Sequence, residues 1–509
     1  MRHSRRSHVL LSIALAVPAT AGCTVSPTAL TDVELTSHAQ DQRARVTANQ
    51  EPIGQSVSLY EAMARALKYN LDKRVEEAEH ALRLSELDLA HYSMLPNLVA
   101  NSAYTGRNND NASFSKNIFT GTTSLVTSTS QERRLATADA AFSWNILDFG
   151  LSYVRAKQAA DKALIQQELS RKIAHRIIED VRSAYWRAVT AQQLLHRLQG
   201  LERETRQAIR ESRTLYKDRQ TSPVQALTQE RELIETERTL VELQRELAAA
   251  KAQLAALINV KPGTHFSVVP PRGMVAAPAL KTNAEEMIST ALLNRAELRE
   301  IHYRKRINAK EAEASLLELL PGIQLFAGAN SDSNMFLYNS NWVNWGARAS
   351  FNVMKLFSIG ARKDLIAAQD EMLDQRALSI TMAVMTQVHV ARVRYAHASR
   401  ELAANQEYLD VQRRLLDQIR AEAKEGRVSK QTLIREELNA LVAEAKRNIA
   451  FAQMQTAFGN LFASMGVDPL PESLSPQGSV AELTKALSST WAERGDIASG
   501  WAARRVAQK

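Results

Sequence analysis

The chain has 509 residues, of which 45% are apolar and 23% are charged, and this balance excludes a disordered chain. A single cysteine excludes a disulfide framework and any zinc or iron–sulfur site built on clustered cysteines. The net charge is +9, but basic and acidic residues alternate as on solvated helix surfaces, so we do not expect nucleic-acid binding.

Residues 1–22 have the layout of a secretory signal. Arg2, Arg5 and Arg6 form a positive start, and a short apolar run over 9–19 follows. This run is too short for a membrane span, and no run of 18 apolar residues occurs elsewhere. We therefore predict a signal peptide over 1–22 and no transmembrane helix in the mature chain.

The only cysteine, Cys23, stands directly after this segment and follows small residues. The arrangement resembles a bacterial lipobox, in which lipid is attached to the cysteine sulfur after cleavage. Thr20 stands where a lipobox usually has leucine, so an ordinary cleavage site with an incidental cysteine is the alternative. Thr24, rather than aspartate, follows Cys23, and the resemblance then implies an outer-membrane destination. Residues 23–55 are polar and are predicted to form an extended, lipid-anchored tether.

The rest of the chain is an internal duplication. Residues of the first half recur in order in the second half, at an offset that shrinks from 225 to 210 and then to 207 residues. Loops tolerate such length changes, whereas packed elements do not. We predict repeats over 56–260 and 284–467, a linker over 261–283 and a C-terminal segment over 468–509. The matching pairs include Glu61 and Glu286, Pro96 and Pro321, Gly150 and Gly360, Tyr185 and Tyr395, Ser222 and Ser429, and Val260 and Val467.

Each repeat contains one very long predicted helix. Residues 150–220 lack proline and contain only Gly200 inside the run, which predicts a helix of roughly 100 Å. Residues 361–425 are its counterpart in the second repeat. Helices of this length indicate a coiled coil or a helical barrel.

Shorter helical segments flank each long helix. In the first repeat 56–95 and 224–258 together match its length, which predicts two short helices stacked end to end beside it. Segments 284–320 and 430–465 have the same relation to the second long helix. A heptad of leucines in 224–258 predicts a left-handed knobs-into-holes seam, for which an ordinary dimeric coiled coil is the alternative. These leucines are Leu233, Leu240, Leu247 and Leu254.

After Pro96 the apolar period changes from about 3.6 to 2, since proline cannot continue a helix. Residues 138–146 and 343–353 alternate between apolar and polar, which is typical of membrane β-barrel strands and also of one face of a soluble sandwich. Four strands cannot close a barrel, and an open edge is unstable in lipid, so we expect three copies to supply twelve strands. The partner strands begin at Leu98 and Ile323, and polar loops suited to the cell exterior lie at 106–134 and 331–341.

Seven motifs accompany these features: SLYEAMARALKYN, LPNL, LPGI, WNILDFG, VRSAYWRAV and the hairpin tips YKDRQTSPVQAL and AKEGRVSKQTL. With these motifs the chain resembles the TolC-like outer-membrane efflux proteins, also called outer-membrane factors, over about residues 56–470. The resemblance implies a mainly α fold with a membrane β part. Duplicated long α-helical hairpins would form a trimeric helical barrel, and four strands per protomer would contribute to a 12-stranded outer-membrane barrel. Residues 261–283 and those after Asp468 would form an equatorial belt.

The resemblance implies a channel of a tripartite efflux or type I secretion system, which passively conducts substrate to the cell exterior. The implied partners are two further copies in a homotrimer, a periplasmic adaptor (membrane fusion) protein, an inner-membrane RND pump or ABC exporter, and outer-membrane lipid. The alternative is a non-transporting helical lipoprotein scaffold. A scaffold has no need of the alternating strands, so the channel is favoured.

The two helix–helix turns are, by resemblance, the periplasmic tips that meet the adaptor. Plain turns are the alternative, and both interpretations can hold together. Gly426 and Arg427 resemble the glycine-containing turn of the family, which the first repeat lacks. The predicted tip residues are Thr221, Ser222, Pro223, Gly426, Arg427, Val428 and Ser429.

Some relatives close the channel with inward acidic rings just past the second tip. The matching positions here are Gln225, Thr432 and Arg435, so the acidic pattern is absent. Because a carboxylate ring attracts cations and an arginine ring disfavours them, we predict a pore constriction at these residues without an acidic gate. A surface salt bridge of Arg435 with Glu436 or Glu437 is the alternative.

The sequence contains no HExxH, GxSxG, P-loop or GxGxxG motif. His389 and His397 are eight residues apart, which is too far along a helix to share one metal ion directly. We therefore expect no catalytic, cofactor-binding or metal-binding residues.

Overall fold

The computed structural model describes residues 27–218, 222–269, 280, 283–469 and 478–497. Residues 1–22 and Cys23 lie outside this described part, so the predicted signal peptide and lipid site do too. The chain divides into two compact units, Met1–Glu51 and Pro52–Lys509. In the described part of the first unit, α1 (Asp32–Arg45) is a helix and not the extended segment that we predicted. It begins at a capping box of Thr31 and Glu34, and none of its residues is buried.

The second unit contains the duplication. Its first repeat comprises β1 (Ser56–Ser58), α2 (Leu59–Tyr69), α3 (Leu71–Tyr92), β2 (Asn97–Gly106), β3 (Ala112–Ser113), β4 (Ser128–Thr129), β5 (Arg134–Asn145), α4 (Ile146–Lys217), α5 (Pro223–Ala248) and α6 (Ala250–Leu257). The 72 residues of α4 span roughly 110 Å at about 1.5 Å per residue, as the missing prolines predict.

The second repeat has the same order of elements, and its first two helices have the same lengths as those of the first repeat. After β6 (Ser267–Val269) it comprises α7 (Ala284–Asn294), α8 (Ala296–Leu317), β7 (Gly322–Asp332), β8 (Asn341–Ser350), the 3-10 helix η1 (Val353–Ser358), α9 (Ile359–Lys424) and α10 (Lys430–Ser464), and α11 (Val480–Ile497) follows. Ser58 accepts a hydrogen bond from the Glu61 N–H, and Asn283 accepts one from the Glu286 N–H. These caps lie 225 residues apart, which confirms the duplication.

Segments predicted as single helices are interrupted in the structure. At Asn70 the backbone is extended, and its side chain accepts hydrogen bonds from the N–H groups of Asp72 and Lys73, which ends α2 and starts α3. Arg295, 225 residues later, breaks the second repeat at the same place. A milder break at Ala249 separates α5 from α6. Residues 56–58 are a strand because they pair with β6.

The strands β2, β5, β7 and β8 form one antiparallel sheet in that order. The alternating strands are confirmed, although β5 ends at Asn145 and β8 ends at Ser350, so Ile146 and Val353 are not in them. The reason is a pair of matching caps. The Asn145 side chain accepts a hydrogen bond from the Leu147 N–H, and the Asn352 side chain accepts one from the Met354 N–H. These bonds end the strands and start α4 and η1. The loop after β2 also holds the short pair β3–β4, which we did not predict.

The helices form four parallel columns. In order across the layer, the first column is α3, α6 and α5 end to end, the second is α4, the third is α8 and α10 end to end, and the fourth is α9. The predicted stacking of two short helices beside each long one is therefore confirmed. All four heptad leucines of α5 and α6 are buried in the seam. Within the described segments, no helix combines the length and the apolar character needed to cross a membrane.

A smaller layer, here called the belt, consists of β1, α2, β6 and α11. The parallel strands β1 and β6 are fastened to α4 by Tyr185, whose hydroxyl lies 3.1 Å from the Val57 carbonyl oxygen and 2.5 Å from that of Val269. The Gln192 side chain forms two hydrogen bonds with the Val268 backbone. Because these strands have three residues each and lie more than 200 residues apart, their pairing depends on this tertiary contact.

The C-terminal helix α11 closes the belt through Trp491. Its indole is buried against Phe458 and Phe462, and the buried Arg182 guanidinium lies 4.0 Å from the ring centroid. Arg182 also donates to the carbonyl oxygen of Gln455 at 3.2 Å. The segment after Asp468 is thus packed over its described residues.

Replacing Trp491 by alanine is expected to destabilise the protein by roughly 3–5 kcal/mol, because it removes a buried aromatic side chain and leaves the Arg182 guanidinium without its cation–π partner. Thermal unfolding of the full chain in mild detergent would measure this. Glu493→Ala, an exposed position on the same helix, is the matched control and should change little. Equal melting temperatures for the two variants would contradict the packing role of α11.

Candidate functional site

The sheet and the helical layer both have open edges. The strands of the sheet lie in the same order as the helix columns from which they continue. Strand β2 follows α3, β5 precedes α4, β7 follows α8, and β8 precedes α9. The strand order therefore repeats the column order, with α3 and β2 at one edge and α9 and β8 at the other. In the described part of the chain no further column or strand covers either edge. An association of copies that joins one edge to the other would extend both layers at once.

The open edges expose apolar side chains at heptad spacing. Helix α3 exposes one residue in each of three successive heptads, and α5 does the same one position after its buried leucines. Monomeric soluble proteins rarely leave such continuous apolar stripes uncovered. We call these residues of α3 and α5 the edge stripe: Val75, Leu82, Leu89, Leu227, Ile234 and Val241. At the opposite edge, α9 exposes Leu365, Met372, Tyr408 and Leu415.

The sheet is apolar on its exposed face. Leu98, Phe142, Ala327 and Trp345 lie directly opposite one another across the four strands. Trp345 is 82% exposed and Leu98 is 75% exposed. The opposite face is less accessible and carries most of the polar side chains, which bond across strands as Asn101 does with Asp139 and Asn330 with Asn344. A soluble sheet has the reverse arrangement, whereas membrane barrels have this one.

The two helix tips lie side by side. The Lys430 ammonium is 3.1 Å from the Glu211 carboxylate, and the Arg435 guanidinium is 3.9 Å from that of Glu232. Arg435 also pairs with Glu436 at 3.4 Å, as the salt-bridge alternative predicted. The Glu232 contact was not predicted, because it joins residues that are distant in sequence.

The tips differ in how their turns are built. Gly426 has φ +72° and ends α9 in a Schellman motif, with the Arg427 N–H bonded to the Glu422 carbonyl oxygen at 3.0 Å. Ser429 then caps α10 through the Thr432 N–H.

In the first repeat Pro223 is the first residue of α5, and Ser222 forms no side-chain cap. Gln225, Arg427 and Ser222 are exposed, while Val428 and Thr432 are half-buried. Thr221 lies outside the described residues.

A cavity of about 1080 Å³, here called the groove, lies between α4 and α9. Its floor is α10 together with the junction of α7 and α8. The cations of its lining outnumber the carboxylates. The cations are Arg171, Lys172, Arg176, Arg187, Arg295 and Arg394, and the carboxylates are Glu179, Glu246 and Glu297.

Some of these charges are neutralised locally. Arg295 pairs with Glu297 at 3.0 Å, and Arg171 pairs with Asp468 at 2.9 Å. Burial acts to raise the pKa of Asp468, but hydrogen bonds from His175 and Arg171 hold that pKa below its usual value. Within the described residues, no group of three or more side chains is arranged to hold a metal ion.

Glu179 is a carboxyl group of the groove whose pKa is strongly raised. Burial, reinforced by the neighbouring Asp180 carboxylate, raises the pKa of Glu179 to about 7. A raised carboxyl pKa adds stability at low pH that is lost as the pH rises from the unfolded value of 4.5 through about 7. We expect Glu179→Gln to melt progressively higher than the wild type between pH 5 and pH 8, as scanning calorimetry would measure.

Glu297→Gln is the control for this prediction. Burial acts to raise the pKa of Glu297, but Arg295 and Lys172 hold it below its usual value. Its removal should therefore cost more stability at pH 8 than at acidic pH, which is the opposite trend. If the melting temperatures of Glu179→Gln and the wild type differed by the same amount at every pH, the raised pKa of Glu179 would be contradicted.

No protein-family model matches the sequence, and no curated protein matches it either. Solved structures do match. CusC, whose structures concern transmembrane channel formation, is 17% identical with a TM-score of 0.60, over 83% of this chain and 96% of CusC. The open-state MtrE outer-membrane channel of Neisseria gonorrhoeae is 16% identical with a TM-score of 0.61, over 81% and 89% of the two chains. The CmeC outer-membrane channel of Campylobacter jejuni is 12% identical with a TM-score of 0.60, over 92% and 99%.

The chain has the TolC-like outer-membrane factor fold. The predicted fold class is thereby confirmed. In this fold the sheet with its exposed apolar face, the open edges and the adjacent tips are features of one continuous layer. Sequence analysis did not identify the groove arginines or the edge stripe. The spacing of seven between Val75, Leu82 and Leu89 was a visible signal for the stripe, but the arginines of the groove come from separate helices and had none.

Proposed function

We propose that the chain is the subunit of an outer-membrane channel, in which three copies close the sheet into a twelve-stranded barrel and the columns into a twelve-column tube. The channel would belong to a tripartite efflux or type I secretion system and would conduct substrate passively to the cell exterior. Its partners would be a periplasmic adaptor and an inner-membrane RND pump or ABC exporter. It would act as a conduit and not as an enzyme.

One observation carries this proposal. The sheet exposes its apolar face, and its strand order repeats the column order with open edges at the same two sides. Joining copies edge to edge would therefore pair the open strands by hydrogen bonds and bury the edge stripe at the same time. A helical scaffold protein would need neither a sheet with an exposed apolar face nor open edges at the same two sides of the sheet and the helical layer.

Further parts of the proposal concern anchoring and docking. Lipid on Cys23 would tether the chain to the outer membrane. The adaptor would dock on the tips at Thr221, Ser222, Pro223, Gly426, Arg427, Val428 and Ser429. Support for the tips comes from the exposure of most of them and from the contact of Lys430 with Glu211, which presents both turns as one surface.

The experiment has three steps. Cells are fractionated, the mass of the membrane protein in mild detergent is measured by light scattering, and ion conductance is recorded in planar bilayers. A trimer from the outer membrane that conducts ions is the expected result. A monomer or dimer that becomes soluble when Cys23 is replaced by serine would overturn the channel and favour the lipoprotein scaffold.

The constriction near the tips is testable in the same bilayers. We expect Arg435→Ala to increase the cation preference of the channel by about twofold, since it removes a positive charge from each copy. Glu232→Gln removes one of the two carboxylate partners of the Arg435 guanidinium and should shift the preference toward anions. Unchanged conductance and ion preference in Arg435→Ala would remove this residue from the pore.

A further inference from the structure

Three arginines of the groove, Arg176, Arg187 and Arg394, are exposed and have few carboxylate partners. Within the described residues Arg187 and Arg394 form no ion pair, although Arg187 and Arg176 both interact electrostatically with the Asp180 carboxylate on the same helix. Arg176 also pairs with Asp72 at 3.6 Å, and both of these side chains are well exposed. The remaining arginines of the groove, Arg171 and Arg295, are paired with carboxylates.

The carboxylates near these arginines are fewer than the cations. Glu179, Glu246 and Glu297 line the groove, and Asp180 interacts with Arg176 and Arg187. Glu297 is shared between Arg295 at 3.0 Å and Lys172 at 3.6 Å. Glu179 carries only part of a charge at neutral pH because burial raises its pKa to about 7. The groove therefore has an excess of positive charge beside apolar wall residues such as Val390 and Ala457.

The groove and the belt lie on opposite faces of the helical layer. On α4 Val181 is buried in the core beneath the belt, whereas Glu179 and Ser183, two residues away on either side, line the groove. Two residues correspond to about 200° around an α-helix. The same relation holds on α10, where Phe458 packs beneath the belt and Thr456 and Asn460 line the groove.

Steric limits decide which face is inside the tube. Twelve columns about 10 Å apart have a circumference of about 120 Å and leave a free inner radius of about 14 Å. Three belts, each about one helix or 10 Å thick, would nearly fill that space. The belts must therefore lie outside, and the grooves face the lumen.

We propose that the three grooves form a lumenal binding site for anionic substrates, organic molecules that carry a carboxylate, phosphate or sulfonate group beside an apolar part. Guanidinium groups bind such oxyanions through two parallel hydrogen bonds, and Val390 and Ala457 would contact the apolar part. This proposal rests on the proposed channel function and specifies the class of its substrate. A ring of unpaired arginines also favours anions over cations in conduction.

The test is the reversal potential of single channels of the full chain in a KCl gradient, before and after addition of 1-naphthalenesulfonate. The variant is Arg187→Gln/Arg394→Gln. Lys261→Gln/Lys485→Gln removes the same charge from exposed positions on or beside the belt and is the matched control. Arg187→Lys/Arg394→Lys keeps the charge but loses the planar donor pair. Light scattering confirms that each variant is a trimer.

We expect the glutamine variant to lose several-fold in chloride-to-potassium permeability ratio and to lose block by the sulfonate. The control should keep both properties, and the lysine variant should keep the permeability ratio with weaker block. A glutamine variant that matches the wild type would overturn the anion site while leaving the channel intact. A wild-type trimer that conducts no ions would overturn the channel function itself, and the site with it.

Discussion

Gly466→Ala is expected to destabilise the protein by roughly 2–5 kcal/mol, because left-handed backbone costs an alanine about 1–2 kcal/mol and overpacking adds about 1–3. Gly466 has φ +70°, and a Cβ there would lie 2.7 Å from the Asn294 carbonyl carbon and 2.8 Å from the Arg295 nitrogen. That backbone cannot move away easily, since the Arg295 N–H bonds to Ala291 and its guanidinium donates to the Ala463 carbonyl oxygen. Thermal unfolding of the full chain in mild detergent would measure the loss.

Two glycines separate the two causes. Gly426 has φ +72° with nothing within 4 Å of the added Cβ, so Gly426→Ala should cost only the strain of about 1–2 kcal/mol. Gly360 lies in α9 in open space without a positive φ, and Gly360→Ala should be neutral or stabilise by up to about 1 kcal/mol. A Gly466 variant no less stable than the Gly426 variant would show that the contact with the α7–α8 junction is unimportant.

Leu82→Glu/Ile234→Glu is expected to abolish assembly while leaving the protomer folded. Both side chains belong to the edge stripe and are exposed in the protomer, so a charge there should change its stability by less than about 0.5 kcal/mol. In a closed tube each would be buried against α9 of the next copy, where an unpaired carboxylate is strongly disfavoured. Light scattering in mild detergent should give a monomer mass, and bilayers should show no channels.

The matched control is Leu125→Glu/Val126→Glu, which places the same charge on exposed apolar residues of the loop between β2 and β5. We expect this variant to remain trimeric and conducting. A trimer from the edge variant, or a monomer from the control, would rule out the edge stripe as the interface.

The repetition in the sequence allowed much of the fold to be predicted. Heptad leucines such as Leu240 predicted a buried seam, and alternating residues such as Phe142 and Trp345 predicted strands. These predictions succeed because periodicity is local, so that a stripe on one helix or one face of a strand is defined by neighbours in the chain.

Breaks within helices were harder to predict. Asn70 and Arg295 occupy the same place in the two repeats, but only Asn70 has a side chain that caps a helix. At Arg295 the guanidinium instead bonds to Ala463 and Gln387 on other helices. Similarly, Asn259 and Gly466 both adopt positive φ, and the close approach of Gly466 to the backbone of Asn294 has no signal in the sequence.

By itself the sequence determined the duplication, the long helices, the strands and their alternation, since each follows from local spacing of apolar residues, prolines and caps. Tertiary structure alone decided the pairing of β1 with β6, the contact of Arg435 with Glu232, and the joining of Arg187 and Arg394 in one groove. The physical reason is sequence distance. These residues are brought together by packing of whole helices, and no pattern along the chain records which surfaces of two distant helices will meet.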